Sequence, residues 1–138
     1  MTLSIDTNVF VDLIRGRQAE VRERFQLAAS AAEPMVASLI VLQELLYGAE
    51  IARNPAEQHL NVRQVLSGIE VQTFDERDIA ATAQLRSRLK SSGFAIGAYD
   101  ALVAGQALAR GWTVVTANKR EFNRVEGLNV IDWSTTAA

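Results

Sequence analysis

The sequence contains no cysteine and a single histidine, His59, among its 138 residues. The absence of cysteine excludes a disulfide framework, thiolate zinc sites and thiol catalysis. One histidine also argues against zinc, and we expect His59 on the surface of a helix. No segment resembles a secretory signal, and no apolar run reaches the roughly 18 residues of a membrane span. We therefore expect a cytoplasmic protein.

The chain also lacks internal repeats, low-complexity tracts and linkers, so its 138 residues fit one hydrophobic core. Short β-type runs alternate with longer helical patterns, which predicts an α/β fold with a mainly parallel central sheet flanked by helices. Strands are predicted over 3–6, 35–37, 70–74, 112–116 and 129–133, and helices over 7–15, 19–31, 39–51, 55 to about 68, 76 to about 93, and 98–110.

Ligands of parallel sheets bind beyond the carboxyl ends of the strands. Asp6 closes the first predicted strand and Thr116 closes the fourth, so both belong to that edge. Asp6 is therefore a candidate functional carboxylate. Capping of the following helix is the structural alternative, since aspartate is a favoured residue at that position.

Two further acids, Glu44 and Asp100, interrupt helical segments that are otherwise apolar. The helix around Glu44 is apolar on nearly every side, so we expect it to be buried. A glutamate is rarely buried without a partner, because desolvation of its charge costs several kcal/mol. A solvated helix edge for Glu44 and a capping role for Asp100 remain the alternatives.

A shared cation would explain why three distant carboxylates, Asp6, Glu44 and Asp100, occupy such positions, because it neutralises acids that otherwise repel. Oxygen ligands without sulfur suit Mg²⁺ or Mn²⁺. Glu121 is a fourth candidate, although Asn118 and Glu121 also have the spacing of a helix capping box. The polar neighbours expected to orient these acids are Thr7, Asn8, Ser38, Thr116 and Asn118.

The overall charge of −2 argues mildly against a protein that binds nucleic acid through bulk electrostatics. When the four candidate ligands are left out, however, the rest of the chain has 12 acidic and 14 basic residues, so its net charge is positive. Bound divalent cations would reverse the sign of the site itself. Arg15, Lys119 and Arg120 are the basic residues best placed to contact phosphates.

In its motifs the chain resembles the PIN-domain ribonucleases, in particular the VapC toxins of bacterial toxin–antitoxin pairs and their tRNA(fMet)-specific branch. The resemblance covers essentially the whole chain, 1–138, as a single PIN-like domain. Its motifs are Asp6-Thr7-Asn8, the segment 42–50, Gly97-Ala98-Tyr99-Asp100, Thr116-Ala117-Asn118 with the segment 120–128, and a closing Asp132-Trp133.

The resemblance implies an endoribonuclease dependent on Mg²⁺ or Mn²⁺ that cleaves structured RNA, commonly tRNA, by a metal-activated water. Metal-ligand roles carry over to Asp6 and Asp100, and then to Glu44. Some relatives have aspartate where this chain has Asn118, so the fourth ligand is open between that position and Glu121. The resemblance also implies a homodimer and a cognate antitoxin lying in an apolar groove that could include Leu45, Leu46 and Tyr47.

Other functions remain possible from the residues alone. A haloacid dehalogenase-type, metal-dependent phosphatase would need a second aspartate where Asn8 stands. A receiver-like signalling domain would need adjacent acids after the first strand and a lysine at the end of a later one. A PIN-like module that binds RNA without cleavage is the third alternative.

Overall fold

A computed structural model describes residues 1–134 of the chain. Residues 135–138, which the sequence assigns to the same domain, lie outside the described residues, and the extent of that domain stays a prediction. Within residues 1–134, one five-stranded parallel sheet has the strand order β3-β2-β1-β4-β5. The strands are β1 (Leu3–Ile5), β2 (Met35–Ser38), β3 (Glu70–Gln72), β4 (Thr113–Val115) and β5 (Asn129–Ile131).

Each of the six predicted helices is present in the described chain, with ends that agree within three residues, and a short helix α7 is added. The helices are α1 (Thr7–Arg15), α2 (Ala19–Ser30), α3 (Leu39–Glu50), α4 (Pro55–Val65), α5 (Glu76–Ser92), α6 (Ala98–Arg110) and α7 (Lys119–Phe122). The predicted α/β fold with a parallel sheet is confirmed. None of these helices is both long and apolar enough to cross a membrane.

The strands predicted over 70–74, 112–116 and 129–133 are shorter than expected. In the first of these, the carbonyl of Thr73 accepts hydrogen bonds from Gln106 Nε2 at 3.1 Å and Arg110 Nη2 at 2.9 Å. These side chains replace the neighbouring strand as the partner of that carbonyl. Asp75 then caps α5 through the Arg77 and Asp78 amides, so the strand cannot continue.

The prediction that α3 is buried on all sides was wrong. Val41, Leu45 and Ala49 are buried, whereas Leu39, Leu46 and Tyr47 are exposed, the last to 59%. The helix packs against α1, α4 and α6 along the buried face. On the opposite face, apolar Leu46 and Tyr47 lie beside exposed Gln43 and Glu50 and are not covered by the described part of this chain, so the apolar composition of α3 cannot be explained by the core alone.

Helices α5 and α6 pack closely because Gly105 lacks a side chain. A Cβ atom at Gly105 would lie 2.8 Å from Thr82 Cα and 2.9 Å from Thr82 Cβ, closer than carbon atoms normally approach. The hydroxyl of Thr82 donates to the Asp78 carbonyl at 2.8 Å and so stays within α5. The position of α6 relative to α5 therefore depends on this glycine.

A buried ion pair, which the sequence analysis did not predict, fixes the end of α6. Asp78 is fully buried and accepts hydrogen bonds from Arg110 Nε at 3.1 Å and Nη2 at 2.7 Å. Arg110 also donates to Gln72 Oε1 at 3.1 Å. Burial opposes ionisation of Asp78, but Arg110 and the Asp75 amide outweigh it, so the pKa of Asp78 is lowered.

We predict that Asp78→Asn lowers the free energy of unfolding at pH 7 by about 3 kcal/mol, because Arg110 loses its charged partner. Since folding lowers the pKa of Asp78, this stabilisation is complete above its unfolded value, near 3.8, and is lost as pH falls through the folded value. Urea unfolding from pH 7 to strongly acidic pH measures the difference.

The matched control is Glu76→Gln, which neutralises an exposed acid in the same helical turn and should cost about 0.5 kcal/mol. A difference between wild type and Asp78→Asn that stays constant as the pH falls would contradict the prediction.

Candidate active site

The carboxyl ends of β1 and β4 are neighbours in the sheet, since Ile5 is paired with Val115. Asp6 and Thr116 are the next residues along each strand, and Thr116 Oγ1 donates to Asp6 Oδ2 at 2.8 Å. The Thr116 hydroxyl also accepts from Asn8 Nδ2 at 3.1 Å and from the Asn118 amide at 2.9 Å. Its donor and both acceptor directions are thus used, which fixes its orientation.

Asp6 is 4% exposed and lies at the N-terminus of α1. Its Oδ1 accepts from the Thr7 amide at 2.8 Å, and its Oδ2 accepts from Asn8 Nδ2 at 3.1 Å in addition to Thr116. Asp6 therefore caps α1, which was the structural alternative to a functional role. It also accepts hydrogen bonds from Asn8 and Thr116, which capping does not require. Burial raises the pKa of Asp6, and these hydrogen bonds offset the rise only in part.

Glu44 reaches the same region from α3. Thr7 Oγ1 donates to Glu44 Oε1 at 2.8 Å, across 37 residues of sequence. Thr7 thus touches two candidate acids, Asp6 through its amide and Glu44 through its hydroxyl. Glu44 is half-buried, so the reading of it as a freely solvated helix edge does not describe its contacts.

Asp100 and Glu121 meet through Asn118. Asn118 Nδ2 donates to Glu121 Oε2 at 3.0 Å and lies 3.4 Å from Asp100 Oδ2. The pKa of Asp100 is raised to about 6, first by burial and then by the charge of Asp6, by a hydrogen bond and charge from Glu121, and by the charge of Glu44. The other three candidate carboxylates therefore all raise the pKa of Asp100.

The structure shows the local contacts of Asn118, Ser38 and His59. The capping box between Asn118 and Glu121 does not form, because the Asn118 side chain makes no capping hydrogen bond and turns towards the acids instead. Ser38 caps its own helix, its Oγ accepting from the Val41 amide at 3.3 Å. His59 lies on α4 with its side chain 32% exposed, in agreement with the expected surface position, and contacts Glu50 Oε1 at 3.0 Å.

Comparison with known proteins decides the family of this chain. The PIN domain profile matches residues 3–128. The chain belongs to the PIN-domain family. It is 38% identical over 130 residues to the tRNA(fMet)-specific endonuclease VapC of Shigella flexneri, with 94% of this chain and 96% of that protein covered. The protein of the same description from Salmonella typhimurium is 39% identical over 129 residues, with the same coverage.

Solved structures give the same result for this PIN domain. The structure of DNA-bound VapBC from Salmonella typhimurium contains a chain with a TM-score of 0.88 and 38% identity, covering 96% of this chain and 98% of that one. VapBC2 from Rickettsia felis, bound to a promoter DNA fragment, has a TM-score of 0.90 and 29% identity, covering 96% and 99%. Within its family, the chain is thus of the VapC ribonuclease type.

PIN-domain nucleases of the VapC type are metal-dependent in general. In this PIN domain the candidate donors are the carboxylates of Asp6, Glu44, Asp100 and Glu121, and oxygen donors of this kind suit a hard divalent cation. Across residues 1–134, no three His, Cys, Asp or Glu side chains already form a group that could hold one ion. The candidate acids therefore suit a cation in ligand type and charge.

Basic residues of the PIN domain lie beside these acids. Lys119 and Arg120 are exposed on α7, the helix that carries Glu121. Arg15 and Glu44 line the same groove between α1, α3 and α4. Arg15, Lys119 and Arg120 are the basic residues expected to contact phosphates, and that role stays a prediction.

We predict that Thr7→Val weakens Mn²⁺ binding by roughly 10- to 100-fold, because Glu44 loses the hydroxyl that orients it. Thr7→Ser, which keeps the hydroxyl, should bind Mn²⁺ as the wild type does. Isothermal titration calorimetry measures the affinity, and thermal melting of each variant checks the fold. Equal affinities for Thr7→Val and the wild type would show that this hydrogen bond does not support the site.

Proposed function

We propose that this chain is the toxin of a toxin–antitoxin pair and acts as an endoribonuclease that depends on Mg²⁺ or Mn²⁺. The observation that carries the proposal is the arrangement of Asp6, Glu44 and Glu121 around Asp100. Thr7 contacts both Asp6 and Glu44, Asn118 contacts both Asp100 and Glu121, and the pKa of Asp100 is raised to about 6. A cluster of acids is costly to a folded protein unless a cation neutralises it. The membership of the PIN-domain family supplies the reaction class.

Asp6, Glu44, Asp100 and Glu121 would hold the cation. A bound divalent cation polarises a phosphoryl oxygen, activates a water molecule and stabilises the leaving oxygen. The other side chains orient the ligands: Thr116 and Asn8 fix the Asp6 carboxylate, and Thr7 fixes Glu44. Asn118 holds Asp100 and Glu121 in one place. The substrate phosphate approaches this group with Lys119 and Arg120 as nearby counter-charges.

The proposed substrate is tRNA. The relatives from Shigella flexneri and Salmonella typhimurium are described as tRNA(fMet)-specific endonucleases and match almost the full chain. Structured RNA is recognised through shape and through unpaired loop bases, which suits an enzyme whose own charge is slightly negative. The reaction we propose takes place in the cytoplasm, where tRNA serves translation.

The proposed partner is an antitoxin protein, because several structural neighbours are VapBC complexes. A groove of about 370 Å³ between α1, α3 and α4 is lined mainly by apolar side chains, with Glu44 and Arg15 also in its wall. A segment lying in this groove would reach the candidate active site at Glu44. Exposed Leu46 and Tyr47 on α3 provide a further apolar surface, for the antitoxin or for a second copy of the chain in a homodimer.

The decisive experiment incubates the purified chain with total tRNA and Mg²⁺ or Mn²⁺ and maps the ends of any fragments. We expect cleavage that EDTA abolishes and that either cation restores. Asp6→Asn should lose activity by about 1000-fold or more, because Asp6 is both a ligand and the partner of three hydrogen bonds.

Each alternative function has its own outcome in this assay. Binding of tRNA without fragments from the wild type would indicate an RNA-binding module. Release of phosphate from a monoester, without internal cuts, would indicate a phosphatase. Equal cleavage by wild type and Asp6→Asn would show that the assigned acids do not carry the reaction.

A second variant tests the fourth carboxylate. Glu121→Gln should reduce cleavage by about 10- to 100-fold, because Glu121 interacts directly with Asp100 and Asn118. Glu126→Gln neutralises an exposed acid on the following turn and should cleave tRNA as the wild type does. Similar activities for the two variants would remove Glu121 from the proposed ligand set.

A further inference from the structure

Two exposed aromatic rings lie in the chain segment that leads into Asp100 of the candidate active site. Among residues 1–134, the largely exposed aromatic side chains are Tyr47, Phe94 and Tyr99. Phe94 is 59% exposed and Tyr99 is 52% exposed, and both lie in the six-residue segment that leads into Asp100. Large exposed rings at a functional edge commonly bind a ligand, because water exposure of such surface is unfavourable.

Phe94 is held in place by Arg124. The Arg124 guanidinium carbon lies 5.8 Å from the centre of the Phe94 ring, and Arg124 Nη1 donates to the Ala95 carbonyl at 3.2 Å. A cation–π contact and a backbone hydrogen bond thus anchor the residues around the ring. More than half of Phe94 remains open to solvent, so the anchored ring can still accept a flat ligand.

The two segments that hold the ring in place also carry two of the candidate acids. Phe94 lies six residues before Asp100, and Arg124 lies three residues after Glu121. Asn118 contacts both of these acids, so the two segments are joined at the site as well as at Phe94. The ring and the carboxylates are therefore carried by the same pair of segments.

Positive charge adjoins the same loop. Arg86 and Lys90 of α5, with Ala95 and Ile96, line a hollow of about 480 Å³. A cationic surface beside an exposed ring is the combination that binds single-stranded nucleic acid, with phosphates held by the cations and bases stacked on the ring. The acidic centre alone would repel an RNA backbone, so binding must draw on its surroundings.

We propose that Phe94, backed by Arg124, is a stacking platform for one unpaired base next to the phosphate that is cut. The proposal rests on the proposed ribonuclease function and adds a substrate-binding residue to it. The platform tolerates any base, because every base has a flat π-face. It selects unpaired nucleotides over duplex RNA, whose bases are already stacked.

The test measures binding rather than cleavage, so it is independent of catalysis. The protein carries Asp6→Asn, and its affinity is measured in Mg²⁺ by fluorescence anisotropy. The probe is a labelled RNA stem-loop with the anticodon-loop sequence of initiator tRNA. Further probes each lack one loop base. Phe94→Leu and Phe94→Trp are compared in this background, with Leu27→Ala as the control at an exposed apolar residue.

We expect Phe94→Leu to weaken binding of the intact probe by about 10-fold and Phe94→Trp to retain it. We expect one of the abasic probes to bind weakly to the protein that has Phe94. The Phe94→Leu variant should bind that probe with the same weak affinity. Such non-additivity identifies the stacked base, because each change removes the same contact. Leu27→Ala should leave the affinity for every probe unchanged.

Three results would overturn the platform. The first is that the protein does not bind the intact probe detectably. The second is that the proteins with Phe94 and with Phe94→Leu bind the intact probe with equal affinity. The third is that Phe94→Leu lowers the affinity by the same factor for every abasic probe. If Phe94→Leu also lowers the melting temperature, and Phe94→Trp does not restore the RNA affinity, the third result would indicate that Phe94 only stabilises the fold. The effects of Phe94→Leu and of removing one loop base could be non-additive even if the wild-type protein does not cleave tRNA. That combination would support the platform and contradict the proposed nuclease activity.

Discussion

The hydrogen bond from Thr116 to Asp6 joins the ends of the two central strands, and the candidate site is arranged around it. Asp6 follows β1, which pairs with both β2 and β4, so its carboxylate is buried among groups brought by several segments. Burial and hydrogen bonding have opposite effects on the pKa of Asp6, and burial is the larger. A carboxylate in this situation gains from any cation that approaches it.

Helix α6 connects the site to the stable part of the structure. Asp100 lies in its first turn, among like charges that destabilise the ionised form. At its other end Arg110 binds buried Asp78, and between them Gly105 contacts Thr82 at close range. The ion pair and the close packing hold α6 against α5, so Asp100 is kept near its neighbours despite their repulsion.

Helix α3 shows why apolar composition alone gives an incomplete description. Its apolar sequence predicts a buried helix, but the fold buries only the face with Val41, Leu45 and Ala49. The remaining apolar face has no layer above it in the described chain. Glu44 accepts a hydrogen bond from Thr7 in the candidate active site, and it also lines the apolar groove between α1, α3 and α4. The proposed partner groove and the proposed metal ligand Glu44 therefore share one helix.

The sequence by itself determined the order of strands and helices, because its signals are local. Gly16, Gly93 and Gly111 end helices in the left-handed conformation, and Asn54 and Asp75 begin them through side-chain caps. Local signals also placed Asp6 and Thr116 at one edge of the sheet, since parallel strands share their carboxyl ends. The approach of Glu44 and Asp100 was inferred from their unusual apolar surroundings.

Only the tertiary structure decided which contacts these side chains make. Asn118 and Glu121 have the spacing of a capping box, yet Asn118 turns to Asp100, a residue 18 positions away. The pair of Asp78 with Arg110 spans 32 residues and leaves no periodic mark in the sequence. Long-range contacts depend on where the sheet and helices bring side chains together, and that arrangement follows from the packing of the whole core.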